Sequence, residues 1–288
     1  MKKTVENLIL LLIVVAFCVN PVFANCDYTN QCQSQAYDLS STIGQKISRC
    51  TGTTFLAEKI AQFIIKKELK KATTEKFKVK MATYSAKDLA QGRFKSLEIT
   101  GKNLEIEGAN LTSLELKTLC GFNYVDISKN PIKFKENMVM GFKTEISDAD
   151  LRKTMHSTGY LDKLNNIKLS GMGITFFKLD GADVKIKNNK LYFTIRVTSA
   201  ILFAKPVDMV VAADLKVEEG QIVLTKVDFV NMFARIDLSK ITYLLNAINP
   251  LNFSLDILEN KNTKMSIQTV NIIGDKITVA GTVFIPKS

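Results

Sequence analysis

Alternation with period two constrains this chain more than any other feature. Between Met138 and Phe229 nearly every segment interleaves apolar and polar residues. Met138-Val139-Met140-Gly141-Phe142-Lys143 is one case, and Leu191-Tyr192-Phe193-Thr194-Ile195-Arg196-Val197 is another. Successive strand side chains point to opposite faces, so the spacing predicts strands with one apolar face and one wet face. The same pattern recurs over Lys76–Met81, Gly92–Ile106, Leu114–Leu116, Ile174–Leu179, Val184–Ile186, Val207–Val217, Gln221–Phe229, Met265–Ile273 and Lys276–Ile285. Turns are predicted at Gly101-Lys102-Asn103, Gly108-Ala109-Asn110, Asn130-Pro131, Asn188-Asn189, Glu219-Gly220 and Gly274-Asp275, where glycine, asparagine and proline punctuate the alternation.

Helical periodicity interrupts the strands. After a Thr53 or Thr54 cap, Leu56, Ile60, Phe63 and Ile64 fall on one face of a helix reaching Lys70. Its charges, Glu58, Lys59, Lys66, Lys67 and Lys70, lie largely elsewhere, so the apolar stripe is expected to rest on apolar surface. Ala86–Gln91 is a short helical stretch ended by Gly92, and Ser147-Asp148-Ala149-Asp150 is a helix start with Leu151 and Met155 inward. Leu238–Asn249 carries Leu238, Ile241, Leu244, Leu245 and Ile248 on one face, and Pro250 ends it. Strands dominate, helices are few, and no βαβ rhythm occurs. The predicted fold is α+β, a large curved antiparallel sheet with amphipathic helices packed on its apolar face.

The chain divides into three parts. Met1–Ala24 has a cationic start, an unbroken apolar run from Leu8 to Val19 and a cleavage-like Val22-Phe23-Ala24, the pattern of a secretory signal peptide. The run is short for a membrane span, which needs roughly 20 residues; retention as an anchor is the alternative. Residues 25–52 form a polar leader, helical around Ala36–Ser48, that holds Cys26, Cys32 and Cys50. With Cys120 they are the disulfide candidates, compatible with two bridges in any of three pairings. Residues 53–288 form the α+β domain. The net charge of +11 is mostly lysine, with five Arg and no Trp, and the address is an exported one, so nucleic acid is not an expected partner. Lysines at alternate positions on wet faces serve solubility or attraction to an anionic membrane surface.

Chemistry is sparse. A nucleophile–base pair would have to use the one histidine, His156, in a sequence that reads as the surface end of a helix. Gly171-Met172-Gly173 lacks the third glycine of a phosphate cradle. Asp148 and Asp150 suit a helix N-terminus better than a metal, and no cysteine pairing has zinc spacing. No catalytic residue, metal or cofactor is expected. Met138, Met140, Met155, Met172, Met209, Met232 and Met265 fall on or beside apolar faces, where flexible thioethers fill gaps or accept variable shapes.

Leu56–Lys70, the basic alternating strand Lys76–Met81 and Gly92–Ile106 together resemble the LmeA-type bacterial envelope phospholipid-binding family, related to the tubular lipid-binding (TULIP, BPI-like) superfamily. Ile146–Leu151, Glu218–Leu224, Leu244–Leu251 and the Val270–Val283 hairpin are similar to the family's later segments. The leader and the abundant lysine depart from its pattern. The resemblance implies an exported protein of the periplasm or cell envelope, TULIP-like in fold, that binds phospholipid or another acyl lipid without catalysis, in lipid transfer or envelope maintenance. Acyl chains would lie in a hydrophobic cavity between sheet and helices, where burial yields about 25 cal/mol per Å². The expected lining is Ile60, Phe63, Ile64, Met138, Met140, Phe142, Phe193, Ile195, Met209, Val211, Leu244 and Ile248. Lys76, Lys78 and Lys80 would meet the headgroup or the membrane. The alternative from the residues alone is a structural or adhesive envelope protein with a filled core and no ligand.

Overall fold

The computed structural model describes residues 28–72, 75–126, 128–129, 133–165, 178–198, 205–231, 238–256 and 263–288. The expected signal peptide, Cys26, Met172, Met232, the Gly171–Gly173 stretch, Ile174–Phe177 and the Asn130-Pro131 turn lie outside these residues.

The fold is α+β with open antiparallel sheets. Six strands pair in the order β1 (Phe77–Ala82), β3 (Ser96–Ile106), β4 (Ala109–Thr118), β7 (Met138–Ser147), β13 (Lys276–Ile285), β12 (Lys264–Ile273). Four more form a meander, β11 (Gln221–Phe229), β10 (Val207–Glu218), β9 (Lys190–Thr198), β8 (Lys178–Lys187). The alternating run from Met138 to Phe229 is therefore shared between two sheets. A third, small sheet of β2 (Arg93–Phe94), β5 (Asn123–Asp126) and β6 (Lys133–Phe134) was not legible in the alternation, since its strands are too short to show a period.

Turn chemistry sets the registers. Asn188 and Asn189 (φ 52° and 57°), Glu107 and Gly108 (50° and 85°), and Glu219 and Gly220 (50° and 76°) supply two consecutive left-handed residues, which close two-residue hairpins with the twist of the flanking strands. One expected turn is absent. β3 runs straight through Gly101-Lys102-Asn103, with Gly101 paired to Leu114 and Lys102 to Ser113. Gly101 serves close packing, because a Cβ there would stand 2.8 Å from both Leu104 and Phe77 side chains.

One contiguous apolar interior draws on both larger sheets. Ile99, Leu114, Met140, Phe142 and Ile277 from the first meet Phe193, Ile195, Val211 and Leu224 from the second within it. The sheets join where the Ile267 N–H donates to the Gly220 carbonyl at 2.8 Å, beside the irregularity between Ile267 and Thr269 in β12. The helices are α1 (Thr42–Cys50), α2 (Thr53–Ala72), α3 (Ala86–Ala90), α4 (Asp148–Met155), α5 (Thr158–Asn165), α6 (Leu238–Ala247) and α7 (Pro250–Asp256). Ser147 and Asp150 form a reciprocal capping box on α4, so the paired aspartates stabilise a helix start. Pro250 ends one helix and opens another. Its missing N–H is no loss at a first helical position, and Asn249 Oδ1 accepts from the Leu251 N–H at 3.1 Å.

The leader is strapped to the body at several points. Tyr28 stacks on Phe284 with ring centroids 5.2 Å apart, and Cys32 is bonded to Cys120 with Cα atoms 5.3 Å apart. Cys50 is a free, exposed thiol, so of the cysteines expected to pair only these two are seen joined. Tyr37 donates to Glu136 at 2.6 Å, a bond to a carboxylate that pushes the phenol up to about 12. Asp38 meets the buried Arg93 guanidinium at 2.6 Å, and Arg93 stacks over Tyr124. Asp88 is fully buried. Desolvation alone would raise its pKa, but Ser85, Ser40 and the Arg93 charge together hold it below the usual carboxylate range. Ser40 contributes both its N–H at 2.8 Å and its hydroxyl at 2.7 Å.

Two outcomes follow from this packing. Gly92 sits at φ +83°, and a Cβ there would fall 1.8 Å from the Val125 carbonyl oxygen. Gly92→Ala should cost about 3 kcal/mol and lower the melting temperature by roughly 10 °C. Gly181→Ala, which meets nothing within 4 Å, should melt within a degree or two of the parent. Because the Asp88 pKa is depressed in the folded state, its stabilisation is present above the unfolded value of about 3.9 and is lost as pH falls through the folded one. Asp88→Asn should therefore lose about 3 kcal/mol near neutrality. Denaturant titrations below about pH 4 should show a shallower pH dependence in the variant than in the parent.

Candidate functional site

The apolar side chains that sequence reasoning singled out occupy two separate places. Nine of them are interior: Met138, Met140, Phe142, Phe193, Ile195, Met209, Val211, Leu244 and Ile248 are all buried in the cluster shared by the two sheets. β7 and β9 alternate, so Met138, Met140 and Phe142 share one face of the first sheet and Phe193 and Ile195 one face of the second. α6 and α7 close over this interior with Ile241, Leu244 and Leu245 of the first, Leu251 and Leu255 of the second, and Ile248 of the link between them. Asn246 fixes α6 to β11 by accepting from the Leu224 N–H at 2.8 Å. Three thioethers, Met138, Met140 and Met209, line the interior, with Met155 of α4 beside them.

Ile60 and Phe63 are not part of that interior. They are 55% and 68% exposed on the outer side of α2, and Ile64 between the two sides is half-buried. The reason is local. α2 carries a second apolar stripe, Ala57, Ala61, Ile65 and Leu69, at every fourth residue. Its two alanines let the helix axis approach β1, and Ile65 and Leu69 enter the core with Val79. The larger side chains Phe55, Leu56, Ile60 and Phe63 are left outward. The expectation that the Leu56–Ile64 face rests on apolar surface is thus corrected: the helix docks by its other stripe. Glu58 anchors that orientation by accepting from the Thr83 N–H at 2.8 Å.

Lys76, Lys78 and Lys80 are exposed at the edge strand β1. Lys80 already donates to Glu98 at 2.7 Å, and that partner raises its pKa. Alternation places these lysines across the strand from Phe77, Val79 and Met81, the side that faces α2. Burial pushes the Tyr160 phenol up, and its hydroxyl donates to the Ile248 carbonyl, tying α5 to the end of α6. His156 is the exposed C-terminal cap of α4. Among the described residues no three His, Cys, Asp or Glu gather as a metal site would require, and no helix is long and apolar enough to cross a membrane.

Antiparallel sheets around a continuous apolar interior, with further apolar surface presented on an outer helix, define a β-rich protein organised around hydrophobic surface. The chain belongs to the LmeA-like phospholipid-binding family, whose model matches residues 52–282. The match begins in the connection between α1 and α2, so α1 and the strapped leader precede it. No curated protein and no solved structure matches the chain. Membership supports a lipid-binding role.

The two locations differ in what substitution should do to the fold. Ile60→Ser with Phe63→Ser removes exposed side chains and should change the unfolding free energy by no more than about 0.5 kcal/mol per site. Phe193→Ala empties fully buried volume and should cost roughly 3–5 kcal/mol, both read by chemical denaturation. Equal losses from the two changes would refute the outward orientation of α2.

Proposed function

We propose that this chain is an exported, non-catalytic phospholipid-binding protein of the bacterial periplasm or cell envelope, acting in lipid transfer or envelope maintenance. Family membership over residues 52–282 carries the reading. The Cys32–Cys120 bond is compatible with an oxidising compartment and hence with export through Met1–Ala24. Acyl chains would enter the interior between the two sheets and α6, contacting Met138, Met140, Phe142, Phe193, Ile195, Met209, Val211, Leu244 and Ile248. Three of these are methionines, whose unbranched thioethers can repack around chains of differing length at low cost. Displacing water from an acyl chain there is worth about 25 cal/mol per Å². Ile60, Phe63 and Ile64 would contact lipid from the outer side of α2, and Lys76, Lys78 and Lys80 would attract the headgroup phosphate.

A second reading, a structural envelope protein with a filled core, draws on one observation. Phe193, Ile195 and Val211 are 0% exposed, as side chains in a permanently filled core would be. One experiment separates the two. The chain is purified gently from its envelope fraction and extracted, and the lipids are analysed by mass spectrometry alongside uptake of a fluorescent phospholipid. Co-purified phospholipid and saturable uptake are expected. Protein free of lipid that takes none up would leave the filled core as the correct reading.

A further inference from the structure

α1 presents a problem of energetics. It is nine residues long, buries no side chain, and holds Ile43 and Ile47 71% and 57% exposed, one helical turn apart. Helices below about 12–15 residues are marginal in water unless they pack an apolar face. α1 is joined to α2 through Thr51 and Gly52, and the Ser48 hydroxyl bridges to Thr53 and Thr54 at 2.9 and 2.7 Å. The next exposed apolar side chains in the chain are Phe55, Leu56, Ile60 and Phe63, at 55–68% exposure. Six large apolar residues in two consecutive helices thus stand in solvent. Together they expose roughly 600 Å² of apolar surface to water.

Charge identifies what covers them. The only acids of the two helices, Glu58 and Glu68, face the body: Glu58 holds the Thr83 N–H and Glu68 is buried. The cations Lys46, Arg49, Lys59, Lys67 and Lys70 are exposed and Lys66 half-buried, interleaved with the apolar residues. On α2 the apolar side chains occupy the first three turns and the lysines concentrate in the last two. Lys59 already lies over the Phe55 ring, 5.2 Å from its centroid, with its stem along the apolar surface. Large apolar side chains ringed by cations, with no acid outward, match a membrane interface of acyl boundary and anionic headgroups. A protein–protein interface would be depleted in lysine, which is abundant here.

We propose that α1 and the outward side of α2 form a docking face for anionic membranes, with Ile43, Ile47, Phe55, Leu56, Ile60 and Phe63 inserted at the headgroup boundary. It deepens the lipid-binding reading, resting on it for the choice of lipid as occupant, and it assigns Ile60 and Phe63 to the bilayer instead of to an enclosed ligand. The strap of Tyr28, Cys32 and Asp38 would hold α1 in position for that contact.

The chain has no tryptophan, so Phe63→Trp introduces a single emission reporter on the face. Mixed with vesicles of phosphatidylcholine and phosphatidylglycerol, the Phe63→Trp protein should shift its emission to the blue and be quenched by brominated acyl chains. Pure phosphatidylcholine should give much less of both. Ile60→Ser with Phe63→Ser should weaken co-sedimentation with the anionic vesicles about tenfold. Reversing Lys66, Lys67 and Lys70 to Glu should weaken it on the order of 100-fold. Emission that stays at the solvent-exposed wavelength with anionic vesicles overturns the proposal. So does a blue shift without vesicles: growth with protein concentration would mean a second copy covers the face, and independence of concentration would mean another part of the same chain does. Docking that persists in protein free of extractable phospholipid removes the enclosed-ligand reading alone. Extractable lipid with no docking removes the docking face alone.

Discussion

The antiparallel pairing of β7 with β13 is the constraint on which the rest of the structure depends. Its ten residue pairs, from Ser147 opposite Lys276 to Met138 opposite Ile285, set β13 between β7 and the edge strand β12 of the first sheet. That pairing fixes which side chains face inward. A slip of one residue would turn Met138, Met140, Phe142 and Ile146 to the opposite face and break the interior shared with the second sheet. It also places β12 at the outer edge, where Ile267 can reach Gly220 and join the two sheets. Long-range pairing of this kind is stabilised only after the intervening chain is ordered, so the meander β8–β11 and helices α4–α7 are bound into one cooperative arrangement with it.

Much of this was legible in the sequence because strand alternation and turn residues are local signals. The Asn188-Asn189 and Glu219-Gly220 hairpins, the Ser147 cap and the apolar stripe of α6 each depend on contacts within a few residues. The failures are equally physical. Gly101 has the composition of a turn, yet its role is to admit Leu104 and Phe77, a contact that no local pattern reveals. The leader lacks apolar periodicity; its cysteines pointed to a bridge, but the stacked ring and the buried carboxylate that also hold it join residues far apart in sequence. α7 begins at the proline that ends α6, and the stop signal concealed the start.

α2 shows most clearly where sequence reasoning reaches its limit. A helix with one apolar stripe has one way to dock. α2 has two stripes, and hydrophobicity alone favours the larger, Leu56–Ile60–Phe63. Shape decides otherwise: Ala57 and Ala61 permit the close approach that Phe63 and Leu56 would prevent, so the bulkier residues are left in solvent. The pairing of Glu58 with the Thr83 backbone reinforces the choice, since the opposite rotation would bury lysines and expose that acid. The side chains nominated for lipid contact were thus separated into an inward and an outward group by packing geometry, which composition does not encode.

That separation bears on how the two apolar regions would cooperate. Phe193, Ile195 and Val211 are 0% exposed, so a phospholipid would reach them only by displacing what packs over them. Opening in water would expose apolar side chains at about 25 cal/mol per Å², a steep cost for a stable fold. Opening against a bilayer would exchange protein contacts for acyl contacts and largely remove that cost. The proposed docking face on α1 and α2 would therefore do more than tether the molecule: it would confine opening to the surface where lipid is present and favour loading there over leakage into the aqueous phase. On that proposal the outward residues would determine where lipid is exchanged and the inward residues how tightly it is held, so the exposed stripe of α2 and the buried core would serve one requirement.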